Sequence, residues 1–170
     1  GSGGVALQSP QTAKPKDGTA RIPIQPGSNI VIPLIRGDLD VSAGGTVTYV
    51  DGNKVYGFGH PLFNLGFSEL PIHHARPITV FPSLQSSFVI LEAGDPVDAL
   101  RQDRGAGIYG LLGQQARMIP MRVEMTTSRG VKRNYNFELA SDRFLTPFMV
   151  NLTMFNTITV SERALGISTL

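Results

Sequence analysis

Few residues in this chain have side chains suited to chemistry. There are three histidines and no cysteine. The missing thiols exclude disulfides, thiolate catalysis, zinc–cysteine sites and iron–sulfur clusters, and leave the compartment open. His73 and His74 are adjacent, and neighbours on a strand face opposite ways, so they do not chelate together; no metal or other cofactor is expected. His60 closes the run Gly57-Phe58-Gly59-His60-Pro61. Such a histidine is either a structural group beside a tight turn or a group presented for reaction. Ser83, Ser86 and Ser87, in Pro82-Ser83-Leu84-Gln85-Ser86-Ser87-Phe88, are the hydroxyls to weigh as nucleophiles, Ser86 and Ser87 foremost. None has a glycine neighbour to open an oxyanion nest, which favours strand-edge or turn hydroxyls. Asp95, Asp98 and Asp103, with Arg101 and Arg104, follow Gly94-Asp95-Pro96 in what reads as a mixed-charge loop of solvated ion pairs. Arg36-Gly37-Asp38 matches an adhesion tripeptide that is common by chance. Neither Gly57-x-Gly59 nor Gly105-x-Gly107 precedes a helix with Lys and Ser/Thr, so neither is a phosphate loop.

His60 is positioned by the clearest local signal in the chain. Residues 45–50 and 54–58 are strand-like and flank Asp51-Gly52, with Asn53 beside it, and Asp-Gly supplies the positive φ that a tight hairpin turn needs. Thr46 and Thr48 alternate with Val47 and Tyr49, as in a half-buried strand. Other strand candidates are 20–24 (an edge, because of Pro23), 29–35, 78–81, 86–91, 108–112, 118–125 and 131–139. Ser128-Arg129-Gly130 joins the last two. One segment reads as helix: Thr146 as N-cap, Pro147 at the first helical position, then Phe148, Leu152, Phe155 and Ile158 at helical spacing, with Gly166 as a stop. Its β-branched residues 157–160 oppose helix formation. The apolar stripe is expected to pack on the strands; left uncovered, it marks a docking face.

The segment Ala43-Gly44-Gly45-Thr46-Val47-Thr48-Tyr49-Val50-Asp51-Gly52-Asn53-Lys54-Val55-Tyr56-Gly57-Phe58-Gly59-His60-Pro61 resembles the histidine segment of the SpoIVB-type serine peptidases, family S55. Gly107-Ile108-Tyr109-Gly110-Leu111-Leu112-Gly113 is similar to that family's Gly-Ile-aromatic-Gly-x-Leu strand, and residues 124–139 to the hairpin after it. The resemblance spans roughly residues 26–140. It implies a trypsin-like barrel, an exported bacterial parent protein, and His60 as the general base that takes a proton from a serine. Asp103 is then the candidate carboxylate to orient His60. The family's Gly-x-Ser-Gly-Ser-Pro nucleophile turn has no counterpart: the chain's single Ser-Gly pair is Ser2-Gly3.

Composition agrees with one mostly β domain. The 170 residues are 41% hydrophobic and 16% charged, with 19 glycines and 12 prolines, a balance that suits short antiparallel strands joined by turns in a barrel-like domain with a C-terminal helix. Residues 1–18 read as a linker or arm opening on a cloning remnant, Gly1-Ser2-Gly3-Gly4, and residues 19–170 as the S55-like domain, a piece of something longer. The net charge is +2 without a Lys/Arg cluster, so nucleic acid is not an expected partner. No apolar run reaches the roughly 20 residues of a membrane helix. Two readings follow. One is a serine-peptidase-like domain that lacks its nucleophile and is inactive alone. The other is a non-catalytic β module that binds a peptide, a protein or a neighbouring domain of the same parent, for instance through a sheet edge.

Overall fold

A computed structural model describes residues 23–81, 88–127 and 130–163 of the chain. The elements in order are β1 (Asn29–Gly37), β2 (Val41–Asp51), β3 (Lys54–Gly57), β4 (Gly66–Phe81), β5 (Phe88–Arg104), β6 (Gly107–Leu112), β7 (Met118–Thr126), β8 (Lys132–Ala140) and α1 (Leu145–Arg163). The order β2-β3-β6-β5-β4-β1 closes on itself through the β1–β2 pairing, giving a six-stranded antiparallel barrel. β8 and β7 extend the sheet from β1. The protein is thus mostly β, a closed antiparallel barrel with one C-terminal helix.

β1 explains the closure. Its sequence runs Ile30-Val31-Ile32-Pro33-Leu34-Ile35 without a polar residue, and all six are buried. A strand covered on both faces needs no alternation. One edge pairs with β2, from Asn29↔Thr46 to Ile35↔Val41. The other takes β4 at Ile30↔His74 and Val31↔His73, and then β8 from Ile35↔Leu139 to Gly37↔Phe137. The core cluster draws Ile30 and Ile32 from β1, Val47, Val55, Leu70, Ile72, Leu100 and Ile108 from the other barrel strands, and continues through Phe137 and Leu139 to Met149 of α1. Each such side chain contributes roughly 1.5–3 kcal/mol by leaving water.

Three expectations need correction. Residues 94–104 form strand rather than a mixed-charge loop; the candidates at 78–81 and 86–91 are strand over the described residues, as the far ends of β4 and β5. This long ribbon shifts register four times, with Pro77 and Pro96 beside shifts; bulges admit prolines and bend the strands. The candidate strand at 20–24 lies mostly outside the described residues, and 23–25 are not strand. The helix cap is Asp142, not Thr146. Asp142 Oδ1 accepts the N–H groups of Phe144 and Leu145, both at 2.9 Å, satisfying donors that a helix start leaves open. Thr146 Oγ1 returns the favour by accepting the Asp142 N–H at 2.9 Å. Pro147 falls in the first turn, where a missing N–H is tolerated.

The face of α1 is also reversed. Met149, Thr153, Thr157 and Ser161 are its buried residues, while Phe148, Phe155 and Ile158 are exposed. Small side chains four residues apart let the helix lie close, and the hydroxyls of Ser161 and Tyr135 on β8 meet at 2.7 Å.

The β2–β3 hairpin is confirmed with its turn one residue later. Asp51 pairs with Lys54, so the two-residue turn is Gly52-Asn53, and Gly52 has φ 56°. A valine there suffers backbone strain with no steric contact to relieve. Gly52→Val is expected to lower the stability read from urea unfolding by about 1–2 kcal/mol.

Candidate functional site

The site grows from the exit of β3. Gly57 ends the strand, and the Phe58 N–H still reaches the Thr46 carbonyl at 2.9 Å. Phe58 and Gly59 then both turn left-handed, with φ of 72° and 68°. For a bulky residue this conformation costs on the order of 1–3 kcal/mol, and the surroundings must impose it. The Phe58 ring lies directly against Gly45 of β2, where any Cβ would overlap ring carbons. Gly45, within the Gly-Gly-Thr run, is therefore the seat of that ring. The double turn carries His60 out of the sheet.

His60 is exposed, and its Nδ1 lies 2.8 Å from the Pro61 carbonyl oxygen. A carbonyl only accepts, so Nδ1 holds the hydrogen, and in the neutral ring Nε2 keeps the lone pair and is the basic nitrogen. The Phe58 ring supports the imidazole with a centroid separation of 5.7 Å.

Asp103 is brought to the same loop but acts on its backbone. The residue is fully buried on β5 opposite Ile108 and Gly66. Its Oδ1 accepts the Leu62 N–H at 2.7 Å; Oδ2 accepts those of Phe63 at 2.6 Å and Leu65 at 3.2 Å. The carboxylate thus pins the chain that leaves His60, while the His60 ring hydrogen bond goes to Pro61. Ser83, Ser86 and Ser87 lie outside the described residues. His73 is buried, with Nδ1 3.0 Å from the Gly94 carbonyl. Among the described residues no three His, Asp or Glu side chains gather as a metal site would require. In Arg36-Gly37-Asp38 the carboxylate accepts the Asn136 N–H at 2.7 Å, tying β1 to β8.

Asp98 is the other buried carboxylate of β5. Oδ1 accepts the Gly113 N–H at 2.9 Å, and Oδ2 is buried without a partner. Burial raises its pKa above the ordinary 3.8, against the lowering effects of the Gly113 hydrogen bond and the charge of His74.

Sequence reasoning missed the surface beside His60. Tyr49, Tyr56 and Tyr109 stand in register across β2, β3 and β6. Their ring centroids are 6.1 Å and 5.4 Å apart. Alternation alone puts Tyr49 on the same face as Val47, yet Val47 is buried and Tyr49 exposed. The reason is a register shift between those two residues, and a bulge moves the following side chains to the other face. Next to the tyrosines lies a groove of about 250 Å³, lined among others by Tyr56, Gly57, Gly59, Gln102, Arg104 and Tyr109. Arg104 donates to Gln102 Oε1 at 3.1 Å, and its guanidinium carbon sits 5.3 Å from the centre of the exposed Phe67 ring. The groove therefore offers aromatic faces and a cation, with His60 next in sequence to its wall at Gly59.

Comparisons with protein-family models, curated proteins and solved structures match nothing.

Two outcomes are expected. Asp103→Asn replaces an acceptor oxygen by an amide that repels the main-chain donors, so unfolding free energy falls by about 2–4 kcal/mol. His60→Ala in the same urea assay shifts it by less than about 0.5 kcal/mol, as exposed positions do. For Asp98, a folded pKa above the unfolded value means that the folded state holds the proton more tightly. Its contribution is then fully present below about pH 3.8 and is lost as pH rises through the raised folded value. Subtracting the pH–stability curve of Asp98→Asn from that of the parent chain exposes this downward step.

Proposed function

We propose that this chain is a SpoIVB-like S55 domain that holds an extended peptide, from another protein or a neighbouring domain of its own parent, without cleaving it. The observation that carries the reading is the groove beside His60, walled by tyrosines and edged by Arg104. Tyrosine gives large contact area at low entropic cost. Arg104 has no ion-pair partner among the described residues and is placed to receive a peptide carboxylate. The outer edge of β7 is a poorer docking strand. Pro120 removes a donor from it, and Arg122 and Glu124 form an exposed ion pair at 2.9 Å, features that discourage strand addition.

The peptidase reading has one observation in its favour, the basic Nε2 of an exposed His60 next to the same groove. On that reading the serine is supplied from elsewhere in the parent, which by the same resemblance is an exported bacterial protein. The lone domain is inactive on either reading.

Selection of random heptapeptides on the immobilised domain tests the proposal. Peptides joining an aromatic or aliphatic residue to Asp or Glu are expected to enrich. Tyr109→Ala or Arg104→Ala should weaken them about tenfold or more, equivalent to about 1.4 kcal/mol, and a serine-directed fluorophosphonate should leave the chain unlabelled. Binding indifferent to both substitutions, or no enrichment, overturns the peptide reading. Stoichiometric labelling of Ser83, Ser86 or Ser87 overturns the non-cleaving one.

A further inference from the structure

The outer face of α1 is built the wrong way round for a helix that meets only water. From Phe144 to Ser161 the sequence has no charged side chain, whereas a helix on a solvated surface normally shows charged and polar residues on its outer face. The face toward β8 uses small hydroxyl residues, Thr153, Thr157 and Ser161, around Met149. The large side chains point away: Phe144 is 68% exposed, Phe148 63%, Phe155 70% and Ile158 49%, flanked by Met154 at 37%.

The spacing of this face is informative. Phe144, Phe148, Asn151, Phe155 and Ile158 are separated by four, three, four and three residues, and Asn151 is exposed with the rest. This is the seam of two helices packed side by side, in which apolar residues recur on average every 3.5 positions. Asn151 stands at the centre. Its amide both donates and accepts, so it can satisfy an identical amide across a two-fold axis, and a single polar residue in such a seam sets its register. Among the described side chains Arg143, over the Phe144 ring at one end, is the single charge beside this face, whereas interfacial membrane helices carry several Lys and Arg along their polar face.

The area is sufficient. With about 200 Å² for a whole phenylalanine, the three exposed rings present roughly 400 Å², and Met154 and Ile158 bring this to roughly 550 Å². Two copies together then bury about 1,100 Å², just above the roughly 1,000 Å² that a biological interface should clear. A symmetric contact also needs only one surface, complementary to itself.

We propose that two copies of this chain associate through α1 about a two-fold axis at Asn151, with the phenylalanines forming the contact. Neither the groove nor His60 takes part, so the dimer stands or falls independently of the peptide reading.

Sedimentation equilibrium of the full chain is expected to give twice the 18.3 kDa chain mass. Phe148→Glu combined with Phe155→Glu should halve that mass while the circular dichroism spectrum stays unchanged, because both side chains are exposed; its urea midpoint should fall to a concentration-independent value as the dimer's contribution is lost. Since the chain has no cysteine, Asn151→Cys introduces a lone thiol. Mild oxidation should link it to its twin, whereas Ser42→Cys, exposed on β2, should stay unlinked. A monomeric parent chain overturns the proposal, as does a dimer that survives the double substitution or equal cross-linking of the two cysteine variants. A monomer that sediments with phosphatidylglycerol–phosphatidylcholine vesicles overturns it too, and assigns the face to a membrane surface.

Discussion

The barrel depends on one strand that serves three partners. β1 pairs with β2 along one edge and divides its other edge between β4 and β8. That arrangement closes six strands into a ring and attaches the β7–β8 hairpin outside it. It requires β1 to be apolar on both faces, and its six residues from Ile30 to Ile35 are buried. The register shift between Pro33 and Ile35 lies where the strand turns from β4 toward β8, a bend that suits a residue lacking an N–H. Closure also abolishes two sheet edges that would otherwise invite association.

The two buried aspartates of β5 show how one residue type serves different ends. Asp103 sits under three main-chain N–H groups, and its charge organises a loop that has no ladder of its own. A carboxylate so surrounded acts as an internal cap, substituting for the backbone pairing that the chain gives up on leaving the sheet. Asp98 has one such donor and an oxygen with none, so desolvation outweighs the hydrogen bond and raises its pKa. The loop beneath Asp103 carries His60 and leads into β4, so the shape of the groove wall and the start of the long ribbon rest on the same carboxylate.

Aromatic residues on the outside give the molecule two distinct faces. Tyr49, Tyr56 and Tyr109 line their rings up along the barrel, Tyr49 and Tyr56 exposed and Tyr109 half-buried. Such rings can stand exposed without collapsing the fold, and they suit reversible contact. The phenylalanines of α1 have no polar end. Apart from Arg143 over the Phe144 ring, no charged group among the described side chains accompanies them, and exposed apolar patches of this kind mark contact surfaces.

Strand content, the β2–β3 hairpin, the terminal helix and the exposure of His60 were legible in the sequence because each rests on local chemistry. Gly52 supplies a positive φ, apolar residues recur along β1, and Gly57-Phe58-Gly59 breaks the strand just before the histidine. The course of β4 and β5 was not legible. Proline and aspartate there oppose strand formation locally, and they are accommodated by bulges and by donors from distant residues such as Leu62 and Gly113. The outward turn of Tyr49 depends on a single register shift, which no periodicity in β2 records. The face on which α1 packs was misjudged for a related reason: hydrophobicity pointed to the phenylalanines, but close approach to β8 selected the small hydroxyl side. The sequence by itself determined the short strands, the β2–β3 turn and the terminal helix, because those choices are made within a few residues. The partners of buried carboxylates, the face of each element and the groove beside His60 were decided only by tertiary structure, because each depends on backbone brought from tens of residues away.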